Sequence, residues 1–274
     1  MGSGGFAKRS WCSRTGLASV VALVWVLGSG GSGIAAPSVP VPIGNADNYD
    51  SYVSTAMKEG QFFYYTCEFD AAWVVLKTFG YDVPFDDQLA LVGHDRSVEP
   101  YYQSTPEGMV IYGGDITEAF SGDFTSNLLA RTTGEAMTPL FEAYDLEVRP
   151  VDTEQAVRES LDRGALIWMK ATVDFLPWEP TTWITPDGDR VDTVLGNDHA
   201  VVAIGYNDDV VVIRDVLGPT DTNWNRAYEY EVDWETFMAV WEAQEFDGLA
   251  VSMGETEEES DDLSIPAVEV TGST

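Results

Sequence analysis

The chain has 274 residues, of which 46 are acidic and 14 basic, giving a formal net charge of −32. That excess argues against nucleic acid and anionic membrane as partners, because both repel an acidic surface. Two cysteines and two scattered histidines are too few for a disulfide framework or a ligand cluster, so no metal or other cofactor is expected.

The first 36 residues read as a secretory signal. Lys8, Arg9 and Arg14 form a basic region, Leu17 to Leu27 a short apolar run, and small residues lead to Ala35 and Ala36. The run is well short of the roughly 20 residues that span a bilayer. No cysteine follows it closely, as a lipid anchor would need. Cleavage is expected after Ala35 or Ala36, with an uncleaved anchor as the alternative. The mature protein is then secreted or extracytoplasmic, without stable membrane insertion. Cys12 and three basic residues leave with the signal, so 11 basic residues face 46 acidic ones, a net charge of −35. The one cysteine left, Cys67, cannot form an internal disulfide. Residues 37–51 read as a Pro-rich linker and 52–253 as one folded domain. Residues 254–274 read as a disordered tail carrying Glu255, Glu257, Glu258, Glu259, Asp261 and Asp262. A monomer is expected.

The domain opens on its most informative stretch, Gln61 to Gly80. Phe69, Ala72, Trp73, Leu76 and Phe79 recur at helical steps from Cys67, with Thr66 as N-cap and Gly80 as the stop. Asp86 to Gly93 is a short helix. Tyr101 to Phe124 is a loop-rich stretch broken by Gly108, Gly113, Gly114 and Gly122. Helices follow over Thr133–Tyr144 and Thr153–Arg163, then a strand over Ala165–Val173. Phe175 to Trp183, with Pro177 and Pro180, reads as a loop whose aromatic residues cap a core rather than rim a cleft. A hairpin runs from His199 to Tyr206, turns at Asn207-Asp208 and returns over Val210–Asp215. A helix over Val232–Glu242 and a strand over Gly248–Ser252 end the domain. Helices early and an antiparallel sheet late make an α+β pattern.

The chemistry follows from three of these elements. A cysteine in the first helical turn meets unpaired backbone N–H groups and the positive end of the helix dipole, both of which favour the thiolate. Glu68 opposes this electrostatically, but successive helix residues do not face each other. His199 opens one strand of the hairpin and Asp215 closes the other. The two are symmetric about Asn207. An odd turn or a bulge would put them on one face, and a plain two-residue turn on opposite faces. On one face they would complete a cysteine, histidine and acid set, with the histidine taking the thiol proton and the acid fixing its tautomer. The Gln61 amide could donate to an oxyanion. His94 reads as a surface-loop residue.

The residues Cys67-Glu68, Gly113-Gly114-Asp115-Ile116-Thr117-Glu118-Ala119-Phe120-Ser121-Gly122, Leu161-Asp162-Arg163-Gly164-Ala165-Leu166-Ile167-Trp168, Asp198-His199-Ala200-Val201-Val202-Ala203-Ile204-Gly205-Tyr206 and Arg214-Asp215 stand in an order and spacing that is fairly specific. From about Gln61 to Ser252 the chain resembles the peptidase C39-like family, stand-alone relatives of the bacteriocin-processing C39 domains. The resemblance implies a papain-like fold in which the nucleophile helix packs on a C-terminal antiparallel sheet. It implies Cys67 as nucleophile, His199 as base, Asp215 as third member and Gln61 as oxyanion donor. Thr66 stands where the family often has Gly, Val216 where Pro usually follows the acid, and the helix face from Phe69 to Trp73 is bulkier than usual. The implied function is a secreted cysteine hydrolase, a peptidase acting on peptide or protein through an acyl-enzyme. The alternatives are a non-catalytic papain-like binding protein and a thiol transglutaminase or deamidase.

Overall fold

The computed structural model describes residues 41–42, 46–106 and 108–254. The expected signal and all but Gly254 of the expected tail lie outside them. In chain order the elements are β1 (Val41–Pro42), β2 (Ser51–Tyr52), α1 (Cys67–Thr78), α2 (Phe85–Val92), β3 (His94–Asp95), β4 (Tyr101–Thr105), β5 (Gly108–Tyr112) and β6 (Phe120–Ser121). Then come α3 (Gly134–Glu142), β7 (Leu146–Pro150), α4 (Glu154–Asp162), β8 (Leu166–Thr172), β9 (Pro180–Ile184) and β10 (Arg190–Val194). The last are β11 (Asp198–Tyr206), β12 (Val210–Arg214), β13 (Glu229–Asp233), α5 (Trp234–Glu242) and β14 (Gly248–Met253).

The α+β expectation holds. The main sheet runs β1-β13-β12-β11-β8-β14-β7, all antiparallel, with β2 added to the end of β11. Alternation along β11 and β8 sorts side chains between two cores. Ala200, Val202 and Trp168 face α1 and α3 on one side, and Val201, Ala203 and Met169 face α4 and α5 on the other. Burying each valine or methionine among them contributes about 1.5–3 kcal/mol. Helix α1 is buried nearly all round: Phe69, Ala72, Val74, Val75 and Leu76 are enclosed, and Trp73 and Phe79 are half-buried. It ends as expected, with Gly80 at a positive φ and its N–H on Lys77 O.

Several elements depart from expectation. The stretch read as linker contributes β1 and β2, and Tyr49 and Tyr52 donate to Glu231 and Glu229 on β13. The supposed loops at Tyr101–Phe124 and Phe175–Trp183 hold β4, β5 and β9. With β10 these form a second sheet in the order β10-β9-β5-β4. Trp183 from β9 is wholly buried there and donates to Gly114 O, whereas Trp178 is exposed. This packing explains Gly113, where a Cβ would lie 2.0 Å from the Trp183 ring, whereas one on Gly114 would meet the Asp95 carboxylate at 2.4 Å. Residues Val232 and Asp233 end β13 rather than open the last helix, and Asp233 caps α5 by accepting from Thr236 N. His94 sits half-buried in a short parallel pair with β6, its Nε2 donating to Gly122 O at 2.8 Å, and does not line the Cys67 cavity.

The β11–β12 hairpin turns at Asp208-Asp209, closed by Asn207 N on Val210 O, one residue later than expected. That even turn alone would separate His199 from Asp215. A β-bulge at Ile204 restores the parity: Gly205 pairs with Val212, but Ala203 pairs with Ile213. The next residue, Gly205, is one the fold requires, because a Cβ there would lie 2.7 Å from Ser51 O on β2.

Candidate active site

Cys67 occupies the first position of α1, as the apolar period predicts, and is buried. Thr66 precedes it but does not cap the helix. Its hydroxyl donates to Asp70 Oδ2 at 2.7 Å instead. Asp70 also accepts Phe62 N and pairs with Lys58 at 2.8 Å, which fastens the Gln61 segment to the helix start. Burial pushes the Asp70 carboxyl up to about 6, against the pull of Lys58.

The bulge puts His199 and Asp215 on the sheet face opposite α1. Asp215 Oδ1 accepts from His199 Nε2 at 2.9 Å and from Leu217 N at 2.8 Å, and Oδ2 accepts from Tyr230 Oη at 2.8 Å. The Nδ1 edge of the ring is left for another partner. Burial acts to raise the Asp215 carboxyl, but His199 and Arg226 outweigh it and hold the group far below the usual carboxylate range. Burial and the same carboxylate push the Tyr230 hydroxyl well up, so it stays a donor.

Cys67 and His199 thus come from opposite faces of the sheet to one cavity of about 240 Å³ at its end. Gln61, Tyr64, Leu128, Val173 and Leu217 complete much of its wall. With the Gln61 amide oriented to satisfy both its ends, Nε2 donates to Tyr64 O at 3.1 Å and Oε1 accepts from Cys67 N at 3.2 Å. The structure therefore brings all four expected residues together. However, Gln61 presents its oxygen, not its donor, to the start of α1.

One expectation needs correction. Glu68 does reach its neighbour: the Cys67 thiol donates to Glu68 Oε2 at 3.2 Å rather than to His199. Burial and then Glu68 push the thiol pKa well up, and Lys170 only partly offsets them. The sum disfavours the thiolate, contrary to expectation. Glu68 is itself enclosed, with its other oxygen 2.5 Å from Lys170 Nζ and its carbonyl accepting from Trp168 Nε1. Lys170 also holds Asp198 at 2.7 Å. Sequence reading missed Glu68, Lys170 and Asp198 as a unit. The usable signal was a lysine inside an otherwise apolar strand, since an ammonium is buried only against acids. It also missed Asp174, Arg226 and Tyr230 around Asp215. Among the described residues, no group of three or more His, Cys, Asp or Glu is placed to hold a metal ion.

A family model described as Peptidase_C39 like matches residues 47–248. The chain belongs to that family. In the comparison with solved structures, it resembles a crystal structure from Bacillus anthracis, itself described only as a candidate C39-like peptidase. The two share 19% identity at a TM-score of 0.57, covering 74% of this chain and 96% of that one. At that identity the likeness speaks for the fold alone. None of the curated proteins compared matches the chain. Family and fold together make a cysteine peptidase-like hydrolase the coarse assignment, with protein or peptide as the substrate that the family implies. Among the described residues, no helix is long and apolar enough to cross a membrane.

Proposed function

We propose that this is an exported cysteine peptidase in which Cys67 is the nucleophile, His199 the base, Asp215 its orienter and Gln61 an oxyanion donor. One observation carries the reading. A thiol at a helix start shares a cavity with an imidazole whose far nitrogen is already held by a buried carboxylate. Export rests on the basic and apolar N-terminal pattern.

The reaction starts from a protonated thiol. Cys67 Sγ leaves Glu68 and gives its proton to His199 Nδ1 as it attacks an amide carbonyl, forming a C–S bond. The substrate carbonyl displaces the Gln61 oxygen from Cys67 N–H. The freed amide turns its NH₂ toward the oxyanion, so two donors face the developing charge. His199 then gives the proton to the leaving amine as the C–N bond breaks. Water, deprotonated by His199, hydrolyses the thioester and restores the thiol. Asp215 keeps Nε2 protonated throughout, so the nitrogen facing Cys67 is the one able to accept.

The competing reading is a non-catalytic binding protein on the same fold. The hydrogen bond from Cys67 to Glu68 favours it, because it stabilises the thiol in its unreactive form. Incubation of the mature protein with a peptide library separates the two. The peptidase reading expects defined cleavage products that vanish in Cys67→Ala. Turnover by Cys67→Ala at the wild-type rate would make Cys67 structural and refute the assignment. So would intact peptides with wild-type protein across the library.

A further inference from the structure

We propose that Arg226 is a positioning residue for the His199–Asp215 pair: lodged between Asp174 and Asp215, it sets how strongly the Asp215 carboxylate draws on the imidazole. The inference rests on the acid–base role given to that pair above.

Arg226 lies in the segment between β12 and β13, and its side chain is wholly buried. Nε donates to Gly218 O at 2.8 Å, which fixes the guanidinium against its own loop. Nη1 stands 2.9 Å from Asp174 Oδ1 and 3.2 Å from Asp215 Oδ2, in line with neither as a hydrogen bond. An arginine serving one carboxylate takes a two-pronged, in-plane geometry. This one straddles two, so each acid receives part of its charge. The guanidinium also lies over the Tyr230 ring, whose hydroxyl donates to the same Asp215 oxygen.

The placement of Asp174 favours a specific role over general packing. Asp174 and Phe175 both have φ in the left-handed region, 61° and 50°, which side-chain-bearing residues adopt only when their surroundings hold them there. The Asp174 carboxylate is held by Thr220 and Thr222 as well as by Arg226. Val173, just before it, lines the Cys67 cavity, and so does Leu217, whose N–H binds Asp215. One buried cation therefore ties two walls of the cavity to the acid that orients the base.

The charged and titratable groups facing this pair are few. On the Asp215 side they are Arg226, Asp174 and Tyr230, and on the far side of His199 they are Cys67, Asp198, Tyr64 and Tyr65, which share its cavity. Arg214, next in sequence to Asp215, turns to the other face and pairs with Glu229. Removing the cation should therefore leave Asp215 to act on His199 undivided, and removing the competing acid should do the reverse.

The test needs no substrate. The chain has only two histidines, so the His199 ring protons are assigned by comparison with His94→Gln and titrated by NMR. Arg226→Met should raise the His199 pKa by about 1 unit, the low end of the shift a nearby charge produces. Asp174→Asn should lower it. If Arg226→Met does not fold, the charge-balanced double variant Arg226→Met/Asp174→Asn should still give a smaller rise, since Asp215 again has no cation. Opposite shifts in the two single variants, or the rise in the double, support the proposal. A His199 pKa unchanged in a folded variant lacking Arg226 overturns it, whether or not the protein proves to be a peptidase.

Discussion

Two buried charge clusters meet the Cys67 cavity, and they act in opposite senses. Under the thiol lie Glu68, Lys170 and Asp198, with Arg131 3.9 Å from Asp198. Behind the imidazole lie Asp215, Arg226, Asp174 and Tyr230. Each sets acids around a cation. In the first, however, an acid accepts from the Cys67 thiol itself and adds to the push of burial toward the protonated form. In the second, the acid accepts from His199 Nε2, so the cluster holds the ring from one edge and leaves Nδ1 for the role proposed above. A helix start and a strand histidine do not by themselves set the resting state of a thiol. Burial and then the nearest carboxylate do, and here that carboxylate belongs to the next residue.

Breaking the imidazole side should have the largest effect on turnover. His199→Ala removes the proposed proton carrier and should lower kcat by about 10²–10⁴-fold, while Arg226, Tyr230 and Leu217 N still face the Asp215 carboxylate. Asp215→Ala should cost more activity than Asp215→Asn, because an amide oxygen can still accept from Nε2. Breaking the thiol side should instead show first in stability. Lys170→Met leaves Glu68 and Asp198 buried without their shared cation, a loss of about 3–5 kcal/mol. At roughly 2–4 °C of Tm per kcal/mol for a chain of this size, thermal denaturation would show it clearly. A Tm within 2 °C of wild type would mean the cluster is hydrated and weakly coupled.

Asp247, whose carboxylate accepts from Gly134 N and lies within the field of Lys170, gives a pH signature. Burial, against Lys170, pushes Asp247 up to about 6 from 3.8. A carboxyl whose folded pKa lies above its unfolded one binds the extra proton in the folded state between those values. Stability then falls as pH rises from about 4 to 6 and stays lower above that. Asp247→Asn should raise stability at pH 7 by about 1–3 kcal/mol and change little at pH 4. Equal effects at both pH values would show that its two contacts with Gly134 N, not its charge, are what count. The smallest effect sharpens the comparison at its centre. Glu68→Gln should lower the thiol pKa and speed iodoacetamide alkylation at pH 7 up to about tenfold. Slower alkylation would mean that Glu68 accepts the thiol proton productively.

Much of this arrangement was legible in the sequence, and the exceptions have physical causes. Helix α1 and its Gly80 stop follow from period and glycine chemistry, and the apolar runs of β8, β11 and β12 read directly as buried strands. The second sheet did not, because Gly108, Gly113 and Pro180 are breakers by residue type, although β5 and β9 tolerate them at strand starts and beside Trp183. The meeting of His199 and Asp215 required a parity that the turn residues contradict. The bulge at Ile204 supplies it and leaves no mark in composition. The divergence of i and i+1 side chains on a helix hides Glu68, yet at the first turn its chain is long enough to reach back to Sγ. Arg226 lies in a Gly-, Pro- and Asn-containing loop with nothing local to show that it is buried.

The central claim is that Cys67 forms a covalent acyl intermediate in hydrolysing peptide bonds. Its most direct test is rapid acid quenching of the wild-type protein during cleavage of a library-derived peptide, followed by intact-mass and peptide-level mass spectrometry. The account predicts a mass increase equal to the acyl half of the substrate, located on the peptide containing Cys67 and absent from Cys67→Ala. Peptide cleavage that proceeds with no adduct on Cys67, or that persists in Cys67→Ala, would contradict it.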